Sequence, residues 1–358
     1  MVELHNKRQS SIELMRIILM IMIITHHIIA YNFELYDKAL VMKKSLCTIL
    51  FCIDSMCIMA VNCFFLISGY FMVKYNSLKM IRLIVDAYFY YLIITLIGLK
   101  LNKLTMNKQT MINIIDPVDN YWFISVYLML IIVSSILNKY IERMEKKEFL
   151  KFLASAFLLL GGYGFILNKP QLGLNSGYSI IAACVLYLIG AGIKKWGKSI
   201  KWEKAFIFWI GITAINFGLI MISVFFFQNL KITMRLLAYS NPLIVIQAVL
   251  FLKIFINMKM ETNNYINKLS KHSLASYYVN SSNWLAMSFK NLILPIFSME
   301  TAVMMLIPFA GVSFIFAVII DSIKCYLFDG GELKICKKLQ SFGKIIFRRI
   351  QDLMSIIA

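Results

Sequence analysis

The sequence is poor in charge, in acidic side chains and in proline, and each shortage excludes a class of protein. Only 15% of its 358 residues are charged, whereas 60% are hydrophobic. This leaves too little polar surface to cover a water-soluble domain. Asp and Glu number 18 against 37 Lys and Arg, and the five prolines are few enough for long helices with short connections. The bilayer must therefore be the solvent for most of the chain.

Patterns typical of metal sites and disulfide frameworks are also missing. The seven cysteines include no C-x-x-C pair. The four histidines, His5, His26, His27 and His272, form no recognisable ligand set. We therefore expect no metal and no tightly bound cofactor. The first apolar run is not followed by a small-residue cleavage site, so we interpret it as a retained span.

Continuous apolar runs predict an all-α, polytopic transmembrane bundle of about ten spanning helices. The runs do not alternate as the strands of a barrel would, and each is long enough to cross a bilayer as a helix. The ninth run is unusually rich in Ser, Asn and Tyr. The ten runs cover residues 12–31, 46–73, 81–99, 121–137, 149–167, 177–193, 205–227, 236–256, 273–297 and 301–328.

The distribution of Lys and Arg predicts the orientation of the bundle. Most of them lie in loops on the side of the two termini, and the positive-inside rule assigns that side to the cytoplasm. We therefore expect both termini to be cytoplasmic. The net charge of +19 is explained by this topology and by anionic lipid headgroups, so nucleic acid is not an expected partner.

The end of the chain differs in composition from the apolar runs. We divide the sequence into a transmembrane domain at 1–328 and a tail at 329–358. Basic residues alternate with Ile, Phe and Leu in this tail, which predicts a basic amphipathic cytoplasmic helix. Such a helix could lie among lipid headgroups, or it could bind a partner. The basic residues are Lys334, Lys337, Lys338, Lys344, Arg348 and Arg349.

The first span contains ionisable side chains, which are costly in hydrocarbon and therefore indicate function. In a helix, Arg16 and His27 lie within ~20° of one face and ~16 Å apart along the axis, whereas His26 points ~80° away. Glu13 is three residues before Arg16 and can pair with it. Structural explanations stay open at this point. Arg16 could snorkel to the interface, and His27 could make a hydrogen bond between helices.

Polar groups in later spans are candidates to support the first. Asn62 and Ser68 lie in the second run, and Tyr121 with Trp122 opens the fourth. Close helix packing could explain Ser68, and anchoring at the interface could explain the two aromatic residues. Asp54 has no local partner and could either pair with a histidine or line a cavity.

In their order along the chain, these segments resemble the membrane acyltransferase family 3, the integral O-acetyltransferases that decorate bacterial surface polysaccharides. Arg16 and His27 match the R-x10-H pattern of that family's first span. Residues 62–71 are similar to its F-F-x-x-S-G-[FY] segment, and residues 121–127 to its W-F-x-x-x-Y segment. Residues 239–242 are similar to a short stretch before a later span. A run of loose motifs in one order is more specific than any of them alone.

Two positions depart from the family pattern. Some members carry R-x-x-R at the cytoplasmic start of the third span, which is implicated in handling the acyl donor. Lys79 and Arg82 occupy those positions here, and a lysine cannot bind phosphate bidentately. Asn280 stands where relatives often have a histidine, so we assign it no catalytic role.

The resemblance implies that an acetyl group passes from cytosolic acetyl-CoA to a hydroxyl of a cell-surface or lipid-linked polysaccharide, such as a capsule or exopolysaccharide. The location implied is the cytoplasmic membrane of a bacterium. His27 and Arg16 would be catalytic, and Arg16, Lys79 and Arg82 would bind the donor. Supporting roles would fall to Glu13, His26, Asn62, Ser68, Tyr121 and Trp122. His27 could act as a general base or form an acetyl-imidazole, and the sequence does not choose between them.

Other classes share parts of this pattern. A transporter or flippase for lipid-linked glycans would also be a polytopic bundle with charges inside the membrane, but it usually shows repeat symmetry. A glycan polymerase would share the substrate and usually carries a large outer loop. A membrane scaffold would leave Arg16 and His27 unexplained. Thiol release from acetyl-CoA would distinguish the acyltransferase from all three.

Overall fold

The computed structural model describes residues 8–118, 120–167 and 175–357. Within these ranges the chain forms helices and no strand. The α-helices in chain order are α1 (Ser10–His27), α2 (Leu35–Lys38), α3 (Lys44–Cys57), α4 (Ala60–Tyr70), α5 (Ser77–Lys100), α6 (Lys108–Ile115), α7 (Trp122–Arg143), α8 (Lys146–Leu158), α9 (Ile180–Trp196), α10 (Trp202–Met221), α11 (Leu230–Leu236), α12 (Pro242–Asn257), α13 (Asn264–Lys271), α14 (Leu274–Asn280), α15 (Asn283–Ala286), α16 (Ser288–Leu292), α17 (Met299–Met304) and α18 (Leu306–Ile357).

The predicted helical membrane bundle is confirmed. In the part of the chain that the structure describes, seven helical stretches are long and apolar enough to cross a membrane. Helices α9 and α12, with 17 and 16 residues, are shorter. The total of about ten spans and the cytoplasmic side of the termini stay predictions. The seven stretches are Ser10–Asn32, Lys44–Tyr70, Ser77–Lys100, Trp122–Arg143, Lys146–Leu167, Trp202–Phe226 and Leu306–Gln351.

The ninth apolar run, at 273–297, is not one helix but contains the three short helices α14, α15 and α16. Its hydroxyl groups bond to nearby carbonyl oxygens: Ser276 Oγ donates to Ser273 O at 2.6 Å, and Ser282 Oγ donates to Val279 O at 3.0 Å. Such local bonds compete with continued helix. The segment therefore forms three short helices instead of one regular span.

The last helix, α18, is continuous over 52 residues. At 1.5 Å per residue it is ~78 Å long, more than twice the ~30 Å of a hydrocarbon core. The proposed division at residue 328 therefore falls inside a helix. Beyond that point α18 still packs on the start of α5, where Gln340 Nε2 donates to Ser77 Oγ at 2.7 Å. The separate tail and its headgroup or partner-binding role stay predictions.

Helices α4 and α9 cross at the distance that only glycine permits. A Cβ atom on Gly69 would lie 1.9 Å from the carbonyl oxygen of Tyr187, and one on Gly190 would lie 2.1 Å from that of Leu66. The small residues of the second span therefore serve packing, as one interpretation of the sequence proposed. This close pair supports α1, which packs against α3, α4, α12, α13, α14 and α18.

Candidate active site

Helix α1 carries the first half of the site at its start. Nη1 of Arg16 lies 3.3 Å from Oε1 of Glu13, so the predicted pair forms. Glu13 is buried, and its second oxygen accepts a hydrogen bond from Ser270 on α13. The carboxylate thus ties the guanidinium to a neighbouring helix and stops it from moving freely. About two thirds of the Arg16 side chain is buried, since 33% of it is exposed.

Arg16 faces a cavity of about 230 Å³, which we call the basic cavity. Arg8 and Lys271 line it together with Arg16, so three cations surround one space. Ser68 also lines it, although its hydroxyl already donates to the carbonyl of Phe64 at 2.8 Å. Clustered guanidinium and ammonium groups favour phosphate or carboxylate ligands. The basic cavity is therefore suited to an anionic ligand.

His26 and His27 meet at a much narrower space, which we call the neck. Its volume of about 20 Å³ has room for roughly one water molecule. The two imidazole centroids are 5.9 Å apart, and Trp122, Tyr239 and Tyr277 contribute aromatic walls. Nδ1 of His27 is buried and has no hydrogen-bond partner among the described residues. A buried polar atom without a partner is costly, so a ligand atom at the neck would relieve it.

The neck adjoins larger cavities in three directions. It shares wall residues Met20, Phe64 and Phe123 with the basic cavity. On the His27 side it shares His27, Trp122 and Tyr277 with a cavity of about 290 Å³. On the His26 side it shares His26 and Ile58 with a cavity of about 650 Å³. Arg16 and His27 therefore each line a cavity along α1, and the apolar side chains of Met20, Phe64 and Phe123 form the wall shared by the basic cavity and the neck.

His26 is held by a carboxylate and a phenol. Its Nδ1 lies 2.7 Å from Oδ1 of Asp54, whose other oxygen accepts a hydrogen bond from the Tyr36 hydroxyl at 2.6 Å. Asp54 has no exposed surface. With Nδ1–H donating to the carboxylate, Nε2 is left as the free nitrogen of this imidazole. Burial, and then the charge of Asp54, raise the pKa of Tyr36 well above its ordinary value, so the phenol stays a donor.

Sequence reasoning offered pairing with a histidine as one of two roles for Asp54, but it did not find Tyr36, Tyr239 or Tyr277. Tyr36 follows His26 by ten residues in a connecting segment, and the other two come from distant parts of the chain. Their approach to the neck depends on how helices pack. Tyr239 does begin residues 239–242, which are similar to a family segment, but that similarity gave it no role at the site.

The remaining residues that the sequence proposed as supporting lie at different distances from the neck. Trp122 lines the neck itself. Asn62 does not line it, but its Nδ2 donates to the carbonyl of Tyr239 at 2.9 Å and so positions a wall residue. Tyr121 is buried, donates to the carbonyl of Tyr278 at 3.3 Å, and lines a separate cavity of about 350 Å³. Trp122 therefore lines the same space as the two histidines, whereas Tyr121 lines a different cavity.

Lys79 and Arg82 do not line the basic cavity. Lys79 is exposed at the start of α5. Arg82 forms ion pairs with two carboxylates of α18, at 2.5 Å to Asp329 and 2.7 Å to Glu332. Its guanidinium fork is therefore occupied by protein groups. The donor-binding role of these two residues stays a prediction, and their observed contact is a link between α5 and α18.

One group of side chains within the described ranges could hold a metal ion, although the sequence predicts none. His272, Asp321 and Cys325 place potential ligand atoms within 4.8 Å of one another. The Asp321 carboxylate is already engaged, because Nδ1 of His272 lies 2.7 Å from one oxygen and the Tyr90 hydroxyl donates to the other at 2.5 Å. These bonds give the cluster a structural explanation without a metal.

Comparison with known proteins agrees with this geometry. A family profile described as an acyltransferase domain matches residues 9–322, nearly the whole chain. No curated protein and no solved structure matches significantly. The matched range includes the neck, the lining of the basic cavity except Arg8, and every residue that the sequence proposed for the site. The chain is a multi-pass membrane protein and belongs to the acyltransferase 3 family, so it is a membrane acyltransferase.

Proposed function

We propose that the protein transfers an acetyl group from cytosolic acetyl-CoA to a hydroxyl of a cell-surface or lipid-linked polysaccharide in the bacterial cytoplasmic membrane. The observation that carries this proposal is the line of cavities along α1. A space lined by three cations adjoins a narrow neck at two histidines, and the neck adjoins wider cavities beyond them. Such an arrangement admits a donor from one end and an acceptor from the other.

The basic cavity fits the anionic end of a CoA donor. Arg16, Arg8 and Lys271 would bind phosphate oxygens, and the Glu13 pair would keep the Arg16 guanidinium oriented. The ~16 Å from Arg16 to His27 along the helix is comparable with an extended pantetheine arm, judged from ordinary bond lengths. The neck has room for roughly one water molecule, so a thioester chain would enter it only after side chains of its wall had moved apart. CoA would thus present its acetyl carbonyl beside His27.

His27 would catalyse acetyl transfer in one of two ways. As a general base, it takes the proton of the acceptor hydroxyl while that oxygen attacks the thioester carbonyl. The C–S bond then breaks, and the thiolate of CoA leaves and takes up the proton. As a nucleophile, its nitrogen forms acetyl-imidazole and releases CoA before the hydroxyl attacks. The unpartnered Nδ1 is compatible with either route. Covalent label from acetyl-CoA on His27 would favour the second.

The test measures CoA thiol release by purified protein from acetyl-CoA with a glycan acceptor. We expect wild type to release thiol and both Arg16→Ala and His27→Ala to lose most of that activity. Lys151→Ala, an exposed cation on α8, is the matched control and should behave like wild type. Thermal unfolding in detergent shows whether each variant is folded. The proposal is wrong if wild type releases no more thiol than the two site variants.

A further inference from the structure

The cavities beyond His27 are lined mainly by amides and hydroxyls. The 290 Å³ cavity at His27 shares Asn120 and Ser281 with the 350 Å³ cavity next to it. We call these two adjoining cavities the amide vestibule. Five carboxamide side chains line it, and hydroxyls of Thr, Ser and Tyr fill most of the remaining polar wall. The carboxamides are those of Asn102, Asn107, Gln109, Asn113 and Asn120.

The wall of the vestibule is built by the connection between α5 and α7. Asn107 caps α6, where its side chain accepts a hydrogen bond from the Thr110 amide at 2.9 Å. Within α6, Gln109 Nε2 donates to Oδ1 of Asn113, one turn later, at 2.8 Å. The Tyr88 hydroxyl of α5 donates to the carbonyl of Ile115 at 2.7 Å and holds the end of α6 in place. These bonds give the carboxamides an ordered arrangement before any ligand binds.

Aromatic side chains form the apolar part of the same wall. Tyr91, Tyr121 and Trp284 line the vestibule, and the indole Nε1 of Trp284 donates to the carbonyl of Ile94 at 3.2 Å. A sugar has hydroxyls around its edge and C–H groups on its faces. Carboxamides both donate and accept hydrogen bonds, and aromatic rings offer apolar surface. The lining therefore complements both surfaces of a sugar ring.

One buried polar atom points to a ligand where the vestibule adjoins the neck. Nδ1 of His27 is buried without a hydrogen-bond partner among the described residues, whereas the Ser281 hydroxyl interacts with the Tyr277 side chain. His27, Tyr277 and Ser281 all line the 290 Å³ cavity. Buried polar groups are normally paired, so the His27 nitrogen calls for a hydroxyl or water from outside the protein. A hydroxyl bound there would already be next to the reacting histidine.

The charge of the vestibule distinguishes it from the cavity on the His26 side. Among its described lining residues, Lys103 is the one charged side chain of the 350 Å³ cavity, and the 290 Å³ cavity carries no acidic or basic side chain apart from His27. The 650 Å³ cavity is lined by Asp37, Lys231 and Arg235. The vestibule is therefore matched to a ligand recognised by its hydroxyls and not by a carboxylate or phosphate.

We propose that the amide vestibule binds the glycan acceptor, and that the sugar held there is uncharged and presents a hydroxyl to His27. This inference rests on the proposed function and adds the location and the chemical class of the acceptor. The carboxamides select a polyhydroxylated ring, and Nδ1 of His27 receives the hydroxyl that reacts.

The test compares binding of two probes to the purified protein by saturation-transfer NMR: a neutral galactose tetramer and the matching tetramer of galacturonic acid. We expect the neutral tetramer to bind. Gln109→Ala/Asn113→Ala should weaken it about tenfold or more, since two hydrogen bonds of ~1 kcal/mol each are lost. Both residues are on the surface helix α6, where alanine favours the helix, so the variant should fold.

Lys231→Gln/Arg235→Gln is the matched control, because it changes the other outer cavity, and it should bind the neutral tetramer like wild type. The proposal is overturned if the neutral tetramer does not bind, or if the control pair weakens binding and the amide pair does not. It is overturned equally if galacturonate binds better and that preference disappears in the control pair. Sugar binding without thiol release from acetyl-CoA would instead reject the proposed function and leave the binding site standing.

Discussion

His26 and His27 are neighbours in the chain and have opposite surroundings. His26 is bonded through Nδ1 to a fully buried carboxylate, which a tyrosine also holds. Nδ1 of His27 is buried without a partner in the part of the chain that the structure describes, and His27 lines one of the two cavities of the amide vestibule. Successive residues on a helix are 100° apart, so one helix can place two imidazoles against different walls of one neck. The difference is that a carboxylate fixes the orientation of the His26 ring, whereas Nδ1 of His27 has no partner among the described residues.

The same contrast extends to the walls beyond each histidine. Behind His26 lie Asp37, Lys231 and Arg235, which line the widest of the described cavities. Behind His27 lie carboxamides and hydroxyls. Charged walls favour charged ligands, whereas carboxamides and hydroxyls favour a neutral ligand rich in hydroxyls. Under the proposed acceptor site, the His27 side would bind the sugar and the His26 side would hold its imidazole in position.

The largest expected effect is the difference between His27→Gln and His26→Gln. Loss of a general base or nucleophile costs about 10²- to 10⁴-fold in turnover, so His27→Gln should lose that much thiol release. His26→Gln should lose less, since its imidazole is bonded to Asp54 through one nitrogen and acts on the neck through its position. If His26→Gln proved the more severe of the two, the roles assigned to the pair would have to be exchanged.

A smaller effect is expected from Asp54→Asn, which keeps the side-chain shape and removes the charge that orients His26. We expect turnover to fall by about tenfold, with little change in the KM for acetyl-CoA, because the donor binds at the basic cavity. Tyr36→Phe removes one hydrogen bond to Asp54. Its turnover should also fall, by a few fold, which corresponds to ~1 kcal/mol. Steady-state kinetics of both variants measure this. A rise in KM for acetyl-CoA without a fall in turnover would contradict the positioning role.

The smallest expected effect concerns Glu34, which follows α1 and forms ion pairs with Lys290 and Lys38. Hydrogen bonds from Lys290, and then from Lys38, lower the pKa of Glu34 from its ordinary 4.5 to about 2. Because the folded pKa is depressed, this stabilisation is present above pH 4.5 and is lost as the pH falls toward 2. Unfolding temperatures of wild type should exceed those of Glu34→Gln slightly at pH 7, and the gap should close on acidification.

High salt should also narrow that gap, since the Glu34 side chain is 28% exposed and its attraction to the lysines is partly screened. Asn32 provides the matched control because it joins the same segments without charge. Its Nδ2 donates to the carbonyl of Ala286 at 2.7 Å, and its Oδ1 accepts from the Lys290 amide at 2.7 Å. The loss in Asn32→Ala should be independent of pH over this range. An equal pH dependence in both variants would mean that Glu34 is not its source.

Part of this site could be predicted because it lies on one helix. The spacing of Arg16, His27 and Glu13 needs only the pitch of an α-helix, and the pair of Arg16 with Glu13 forms as that pitch requires. The apolar runs predicted a helical bundle in the same way, since length and hydrophobicity are local properties. The ninth run was the exception, because its serines bond locally and break the helix.

The amino-acid sequence by itself determined that this chain folds as membrane-spanning helices, that an arginine and a histidine share a stripe of the first one, and to which family the chain belongs. Only the tertiary structure decided that His26 takes Asp54 as its partner, that the neck has room for one water, and that amides from α6 line a cavity next to the one at His27. These contacts join residues from distant parts of the sequence. Their distances depend on how closely helices pack, as at Gly69 and Gly190, and no local pattern encodes that.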